Sequence, residues 1–373
     1  MTPPPKSLDH ALVWFRRDLR VDDHAALYAA CRAARQVHAA FVFDTDILAP
    51  LPRDDRRVEF IRDSLVDLDG QLRALGQSHG VADVGLIVRH GSARDELPRL
   101  AATLGVQAVF AAHDDEPDAL ARDSAVRGRL AEAGCVLHTV KDHVVFERSE
   151  VMTATGTPYS VFTPYKNAWL KKVDSFYLRG WPVARHAGCL APWPAAAGAP
   201  GVPALDDIGF EASDLRQLRL PTGSTGAHEL LEDFLNRIDD YDRTRDFPAV
   251  KGPSYLGIHL RFGTVSIRKL VATALQAQVQ GSKGAEIWLS ELIWREFYAQ
   301  ILANFPHVAA HAFRREYEAI KWEHGPHAHK LFRLWCDGLT GYPLVDAAMA
   351  QINQTGYMHN RLRMVAASFL VKD

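Results

Sequence analysis

Cysteine is scarce in this chain. The four cysteines, Cys31, Cys135, Cys189 and Cys336, show none of the CxxC spacing of a metal knuckle or redox pair. A disulfide-framed secreted fold is thereby excluded, and a reduced, cytoplasmic protein with no metal site is expected. No run approaches the ~18 apolar residues of a membrane span, and the opening "MTPPPKSLDH" lacks the apolar core of a signal peptide. An excess of one charge is missing as well. Lys and Arg total 43 against 45 Asp and Glu, a formal net charge of -2, so any nucleic-acid site must be a local basic patch. There is no internal repeat and no legible oligomer interface, so a monomer is expected.

What is present is a change of texture along 373 residues, long enough for two to three domains at roughly 150 residues each. From Ala11 to about Val140, the β-prone runs "ALVWF", "VHAAFVF", "VGLIV", "QAVFAA" and "VLHTV" alternate with helical patterns such as "RRVEFIRDSLVDLDGQLRAL". Strands apolar on both faces and joined by helices predict a doubly wound, Rossmann-like parallel sheet of about five strands over residues 1–140. A Pro-, Ala- and Gly-rich stretch at 181–205 reads as the heart of an interdomain linker, with bounds of 141–225. From 226 to 373 the pattern is helical throughout, an all-α domain.

The α/β half has no GxGxxG after its first strand, so it lacks the fingerprint of a dinucleotide fold. In its place stands "FRRDLRVDDH", with Arg16, Arg17, Asp18, Arg20, Asp22 and Asp23 at the edge where such sheets bind ligands. A mutual salt-bridge network and a ligand contact are both open there. In the second half, "WLSELIWREFYAQIL" places Trp288, Glu291, Trp294, Arg295 and Tyr298 at spacings of three and four, on one helical face opposite Leu289, Ile293 and Phe297. Two tryptophans, a carboxylate and a guanidinium suit either a packing seam or the wall of a cavity for a polar planar ligand. Thr264 or Ser266 is a plausible helix N-cap after Gly263. On the last helix Asn360, Arg363 and Met364 share a face, whereas Arg361 points elsewhere.

"VWFRRDLRVDD" is similar to the N-terminal signature of the photolyase/cryptochrome family, with Asp23-His24 in place of its usual Asp-Asn. "FTPYKNAW", "DFPAVKG", "ELIWREFY", "TGYPLVDAAM" and "GYMHNRLRMVAASFLVKD" follow in the order and spacing of bacterial class I cyclobutane-pyrimidine-dimer photolyases, so the resemblance covers the whole chain. It implies light-driven repair of dimers in UV-damaged DNA by electron transfer from excited reduced FAD to a flipped-out dimer. It also implies an antenna chromophore, a methenyltetrahydrofolate or a deazaflavin, in the first domain. Carried over residue by residue, Tyr241, Ser254, Leu256, Gly257, Trp288, Glu291, Arg295, Asn360 and Arg363 would contact FAD. Pro253 and Gly257 replace residues that usually offer hydroxyls. Glu291, Asn360 and Trp294 would be catalytic: the first two hydrogen-bond the dimer, Glu291 as the protonated acid, and Trp294 packs on it and belongs to the DNA surface with Arg361. Trp322 would be the surface end of an electron-transfer chain, and Glu116 an antenna contact. Family members continue past "SFLVKD", so the resemblance implies an FAD-binding domain lacking its C-terminal part and ending uncapped at Asp373. Two further readings stay open, a cryptochrome-type blue-light sensor and an inactive fragment. Plant-type cryptochromes usually carry Asp where this chain has Asn360.

Overall fold

Alternating burial within the first strand shows how the N-terminal half folds. Ala11, Val13 and Phe15 pack into one apolar core, and Leu12 and Trp14 into another, because successive strand side chains point to opposite faces. A fully buried Val, Leu or Phe contributes roughly 1.5–3 kcal/mol, which makes two-sided burial the main support of the sheet. In the computed structural model, which describes residues 6–372, the elements of this half are β1 (Leu8–Phe15), α1 (Ala25–Ala33), β2 (Ala34–Asp44), α2 (Thr45–Leu48), α3 (Arg56–Ser78), β3 (Leu86–Gly91), α4 (Ala93–Leu104), β4 (Ala108–Ala112), α5 (Pro117–Glu132) and β5 (Val136–Val140). Residues 1–5 of the expected first domain and the chain end at Asp373 lie outside the described residues. The five strands are parallel in the order β3-β2-β1-β4-β5. The strand order reverses between β1 and β4, the position where such sheets open a crevice.

His24, the departure from the family's usual Asn, caps α1: its Nδ1 accepts from the Leu27 N–H at 3.0 Å, which is the work an N-cap side chain does. All four cysteines are free thiols.

The second half consists of α6 (Phe162–Lys172), α7 (Gly223–Leu235), α8 (Tyr241–Thr244), α9 (Gly257–Phe262), α10 (Ile267–Val279), α11 (Lys283–Asn304), α12 (Pro326–Asp337), α13 (Pro343–Thr355) and α14 (Asn360–Lys372). No strand occurs after Gly226 among the described residues. Ser266 caps α10, accepting from the Lys269 N–H at 3.4 Å. No helix among the described residues is long and apolar enough to cross a membrane.

Residues 141–225 do more than connect. Val145, Phe146, Val151, Tyr165 and Trp169 belong to the main core of the helical half. Val183, Ala187, Cys189 and Leu190 belong to the core under the sheet. Composition hid this, because a Pro- and Ala-rich segment shows no period even when each apolar residue is buried.

Candidate functional site

The mixed-charge loop after β1 is a latch between the two halves. Asp23, in a left-handed conformation at φ 49, accepts from Arg268 Nε at 3.0 Å and from the Trp181 N–H at 2.7 Å, and is paired with the Ser266 hydroxyl. Asp142 receives Arg20 Nη2 at 2.7 Å and Arg268 Nη2 at 2.9 Å. Burial works against the charge of Asp142, but the two guanidiniums outweigh it and hold the carboxyl far below the usual range. Gly263 completes the latch. Its φ is +64, and a Cβ there would overlap the Arg17 carbonyl, so only glycine lets the backbones meet. Of the two readings open for this loop, the salt-bridge network describes most of it.

Arg17 is the exception, because it faces a cavity. About 420 Å³ lies at the β1/β4 switch point, walled on the sheet side by Arg17, His113, Glu116 and His143 and on the helical side by Gly257, Arg261, Arg295 and Tyr298. The Glu116 carboxylate accepts from Arg17 and Arg261, each at 2.6 Å. Burial pushes its carboxyl up, yet Arg261 and Arg17 hold it below the usual range. Burial and the neighbouring Arg17 push His143 down to about 3, so its ring is neutral. Arg295 donates to the His143 carbonyl at 2.7 Å and the Leu260 carbonyl at 3.3 Å, with no carboxylate partner. Burial lowers it to about 10, which leaves it a cation. Asp114, Asp115, Glu116, Asp142 and Glu147 line the same cavity beside Arg17, Arg261 and Arg295, so its wall is mixed in charge, and Arg295 is the guanidinium there that no carboxylate engages.

The helix α11 supplies the second part of the site. Its buried half carries Trp288, Leu289, Leu292, Ile293, Glu296, Phe297 and Gln300, and its other half presents Glu291, Trp294, Arg295 and Tyr298. Trp288 thus sits in the core against Phe234, ring centroids 4.9 Å apart, rather than on the open face with Glu291. Glu291 is half-buried and accepts from Arg245 Nη1 at 2.7 Å. The expectation of a buried, protonated donor there meets a different geometry, a carboxylate engaged by a guanidinium. Arg245 continues to Asp246 at 3.5 Å, and Asp246 to Arg361 Nε at 2.7 Å. This chain of ion pairs joins the middle of α11 to the first turn of α14. Arg245 was not singled out from the sequence, although its i,i+4 spacing from Tyr241 was the available signal; its guanidinium lies over the Tyr241 ring at 5.5 Å. Trp294 has Phe162 stacked on it at 3.6 Å and 9°, and Tyr298 stacked at 5.6 Å.

The other expected residues fall in separate places. Tyr241 and Leu256 are buried in the helical core, and burial pushes the Tyr241 hydroxyl up to about 12. Ser254 lies two residues before Leu256, its Oγ 3.5 Å from the Leu256 N–H. Asn360 and Arg363 are exposed, and Arg363 Nε donates to the Met358 carbonyl at 3.0 Å. Trp322 is 56% exposed, well outside the cavity lining.

Comparison with known proteins gives this geometry a context. The family described as "DNA photolyase" matches residues 11–186, and "FAD binding domain of DNA photolyase" matches residues 288–373. The deoxyribodipyrimidine photo-lyase of Vibrio cholerae is 36% identical over 97% of this chain and 76% of its own length. The crystal structure of a class III photolyase from Agrobacterium tumefaciens is similar across all of this chain and 74% of its own, with a TM-score of 0.83 at 28% identity. An archaeal photolyase from Sulfolobus tokodaii, solved with two FAD molecules, has a TM-score of 0.77 at 29% identity, over 97% of this chain and 75% of its own. FAD is therefore the cofactor of the helical half.

Proposed function

The chain belongs to the DNA photolyase family, and from that membership we propose that it repairs cyclobutane pyrimidine dimers in UV-damaged DNA with blue light, holding FAD in the helical half. The observation that carries this reading is the ion-pair chain Glu291, Arg245, Asp246 and Arg361. It gathers beside α11 two of the things that a flipped-out dimer requires, hydrogen-bond donors for its carbonyl oxygens and a cation for its phosphates, and Trp294 on the same helix adds an aromatic ring.

Bound FAD supplies the electron under light; the protein supplies everything else. Negative charge develops on the dimer carbonyl oxygens, and donors aimed there stabilise it. Arg245 brings a five-donor guanidinium beside Glu291, so donation to those oxygens falls to Arg245 and the Asn360 amide, with Glu291 holding Arg245 in place. Phe162 already covers one face of Trp294. A base therefore packs on what Phe162 leaves free, worth about 1–3 kcal/mol. Arg361 meets a DNA phosphate while sharing its charge with Asp246, which strengthens binding without reading sequence. An antenna, a folate or a deazaflavin, takes the cavity that holds Glu116, where Arg17 and Arg261 already compensate the carboxylate.

The test is an oligonucleotide containing one thymine dimer, incubated with FAD-loaded protein under blue light and in the dark. Restored thymines in the lit sample alone are expected. Bound reduced FAD without restored thymine would refute repair and favour a light sensor.

A further inference from the structure

The helices that carry Asn360 and Arg361 form a unit of their own. Val345, Ala348, Met349, Met358, Leu362 and Ala366 make a separate small core, and Trp335 Nε1 closes it by donating to the Ala366 carbonyl at 3.1 Å. Neither the main helical core nor the cores of the sheet include residues of α12, α13 or α14. Among the described residues, hydrogen bonds from this unit to the rest of the chain come from two arginines. One is Arg361, on Asp246 at 2.7 Å. The other is Arg56, the first residue of α3 in the α/β half. Its Nη1 donates to the Asn353 carbonyl at 3.3 Å and its Nη2 to the Gln354 carbonyl at 3.0 Å. Its Nε and Nη2 grip the Asp214 carboxylate at 2.5 and 2.7 Å.

We propose that Arg56 is a positioning residue, a latch from the α/β half that fixes the α13–α14 turn and so sets where Asn360 and Arg361 stand relative to Glu291 and Arg245. The chemistry is that of a helix C-terminus, where the last carbonyls lack intrahelical partners and carry the negative end of the helix dipole. A planar guanidinium can meet two such carbonyls and a carboxylate at once; an ammonium cannot. Asp214 fixes the fork in place, and its ion pair raises the Arg56 guanidinium further above its ordinary range. The turn it meets is short: Gly356 closes α13, and α14 opens four residues later with Asn360. Arg361 fastens the same turn to the segment before α9 through Asp246 at 2.7 Å. Arg361, and the Tyr357 ring packed on Tyr255 with centroids 5.4 Å apart, tie this turn to the helical half, whereas Arg56 ties it to the α/β half, and without Arg56 the turn can pivot about the others. Because the unit has only a small core of its own, loss of Arg56 frees its orientation and makes its helices easier to open without unfolding them.

This inference rests on the reading of Asn360 and Arg361 as substrate contacts, and the test separates the two. Amide hydrogen exchange of the full chain, loaded with FAD, is compared for the wild type, Arg56→Ala, Arg56→Lys and Asp214→Asn, alongside the repair rate at saturating dimer. In Arg56→Ala, amides of residues 343–372 are expected to exchange roughly three- to tenfold faster, the equivalent of one or two half-exposed hydrogen bonds. Those of α10 and α11 should stay unchanged. The repair rate should fall, and binding of undamaged duplex should weaken with it as Arg361 loses its place. Arg56→Lys should restore part of the protection, and Asp214→Asn should lose a smaller part. Unchanged exchange over 343–372, or acceleration confined to α3, would overturn the latch. Faster exchange at 343–372 in a protein that repairs nothing even as wild type would uphold the latch and remove the repair reading instead.

Discussion

Glu296 offers the sharpest test of how the helical half is held. Its carboxyl is buried in the middle of α11 and gathers donors from two separate segments. Oε2 accepts from the Val145 N–H at 2.6 Å; Oε1 accepts from the Phe146 N–H at 3.0 Å, Trp169 Nε1 at 2.5 Å and the Tyr165 hydroxyl at 3.4 Å. Glu296→Ala leaves at least three N–H groups buried without partners, at about 1–3 kcal/mol each. A loss of about 3–6 kcal/mol is expected at pH 5.5, a large share of the ~5–15 kcal/mol that holds a domain folded. Glu296→Gln keeps an oxygen for the three Oε1 donors but turns an amide N–H toward Val145 N–H, so it should cost only about 1–3 kcal/mol. The pH dependence has a definite sign. Burial pushes the carboxyl up to about 7 in the folded protein, above roughly 4.3 in an unfolded chain. The folded state therefore binds the extra proton, and the stability this adds is full below about pH 4 and lost as pH rises through 7. Wild type should lose about 2 kcal/mol between pH 5.5 and 8 from this group, at 1.36 kcal/mol per pH unit. Both variants should lack that slope, so their deficit narrows at pH 8. Urea denaturation followed by tryptophan fluorescence at both pH values measures it. A deficit under about 1 kcal/mol for Glu296→Ala at pH 5.5, or parallel pH slopes for all three proteins, would refute the reasoning.

Gly263→Ala forces a Cβ onto the Arg17 carbonyl at a positive φ and should cost about 2–4 kcal/mol, seen as a fall of roughly 5–10 °C in melting temperature. Asp142→Asn leaves Arg20 and Arg268 short of their shared carboxylate, and about 3–5 kcal/mol should be lost at neutral pH. Because the wild-type Asp142 carboxyl is held far below its ordinary range, its contribution is full above about pH 4 and is lost as pH falls below that. Acid titrations of wild type and variant should therefore converge at low pH. Arg295→Ala removes the guanidinium that ties the His143 and Leu260 carbonyls to α11, and the dissociation constant for FAD should rise roughly 10- to 100-fold by fluorescence titration. An unchanged constant would show that Arg295 takes no part in holding FAD.

Much of the architecture was legible because it rests on short-range patterns. The five strand runs and the helices between them became the sheet nearly as written, since two-sided burial leaves an uninterrupted apolar signature. The site was legible only in part. Arg245, Arg261 and Asp246 are single charges in loops or short helices, and nothing local distinguishes a charge that crosses 46 residues to reach Glu291 from one that faces solvent. Arg56 is harder still: its partners are the backbone carbonyls of Asn353 and Gln354, and a carbonyl leaves no trace in the sequence of the residue that seeks it.

The helix α11 shows why periodicity alone could not assign the chemistry. Residues 294, 295 and 296 are consecutive, so at 3.6 residues per turn they project about 100° apart. Trp294 lies on Phe162, Arg295 lines the cavity, and Glu296 points into the core. A reading that equates charge with solvent places Glu296 outside. The structure places it at the centre of the buried half, where it ties residues 145–146 and α6 to α11. The same turn therefore joins the segment between the two halves to the cavity wall, so a substitution at Glu296 should shift the neighbouring Arg295 and weaken FAD binding without touching it. Glu296→Gln, folded at pH 8 but with a raised dissociation constant for FAD, would establish that coupling. An unaltered constant in the same variant would confine Glu296 to stability.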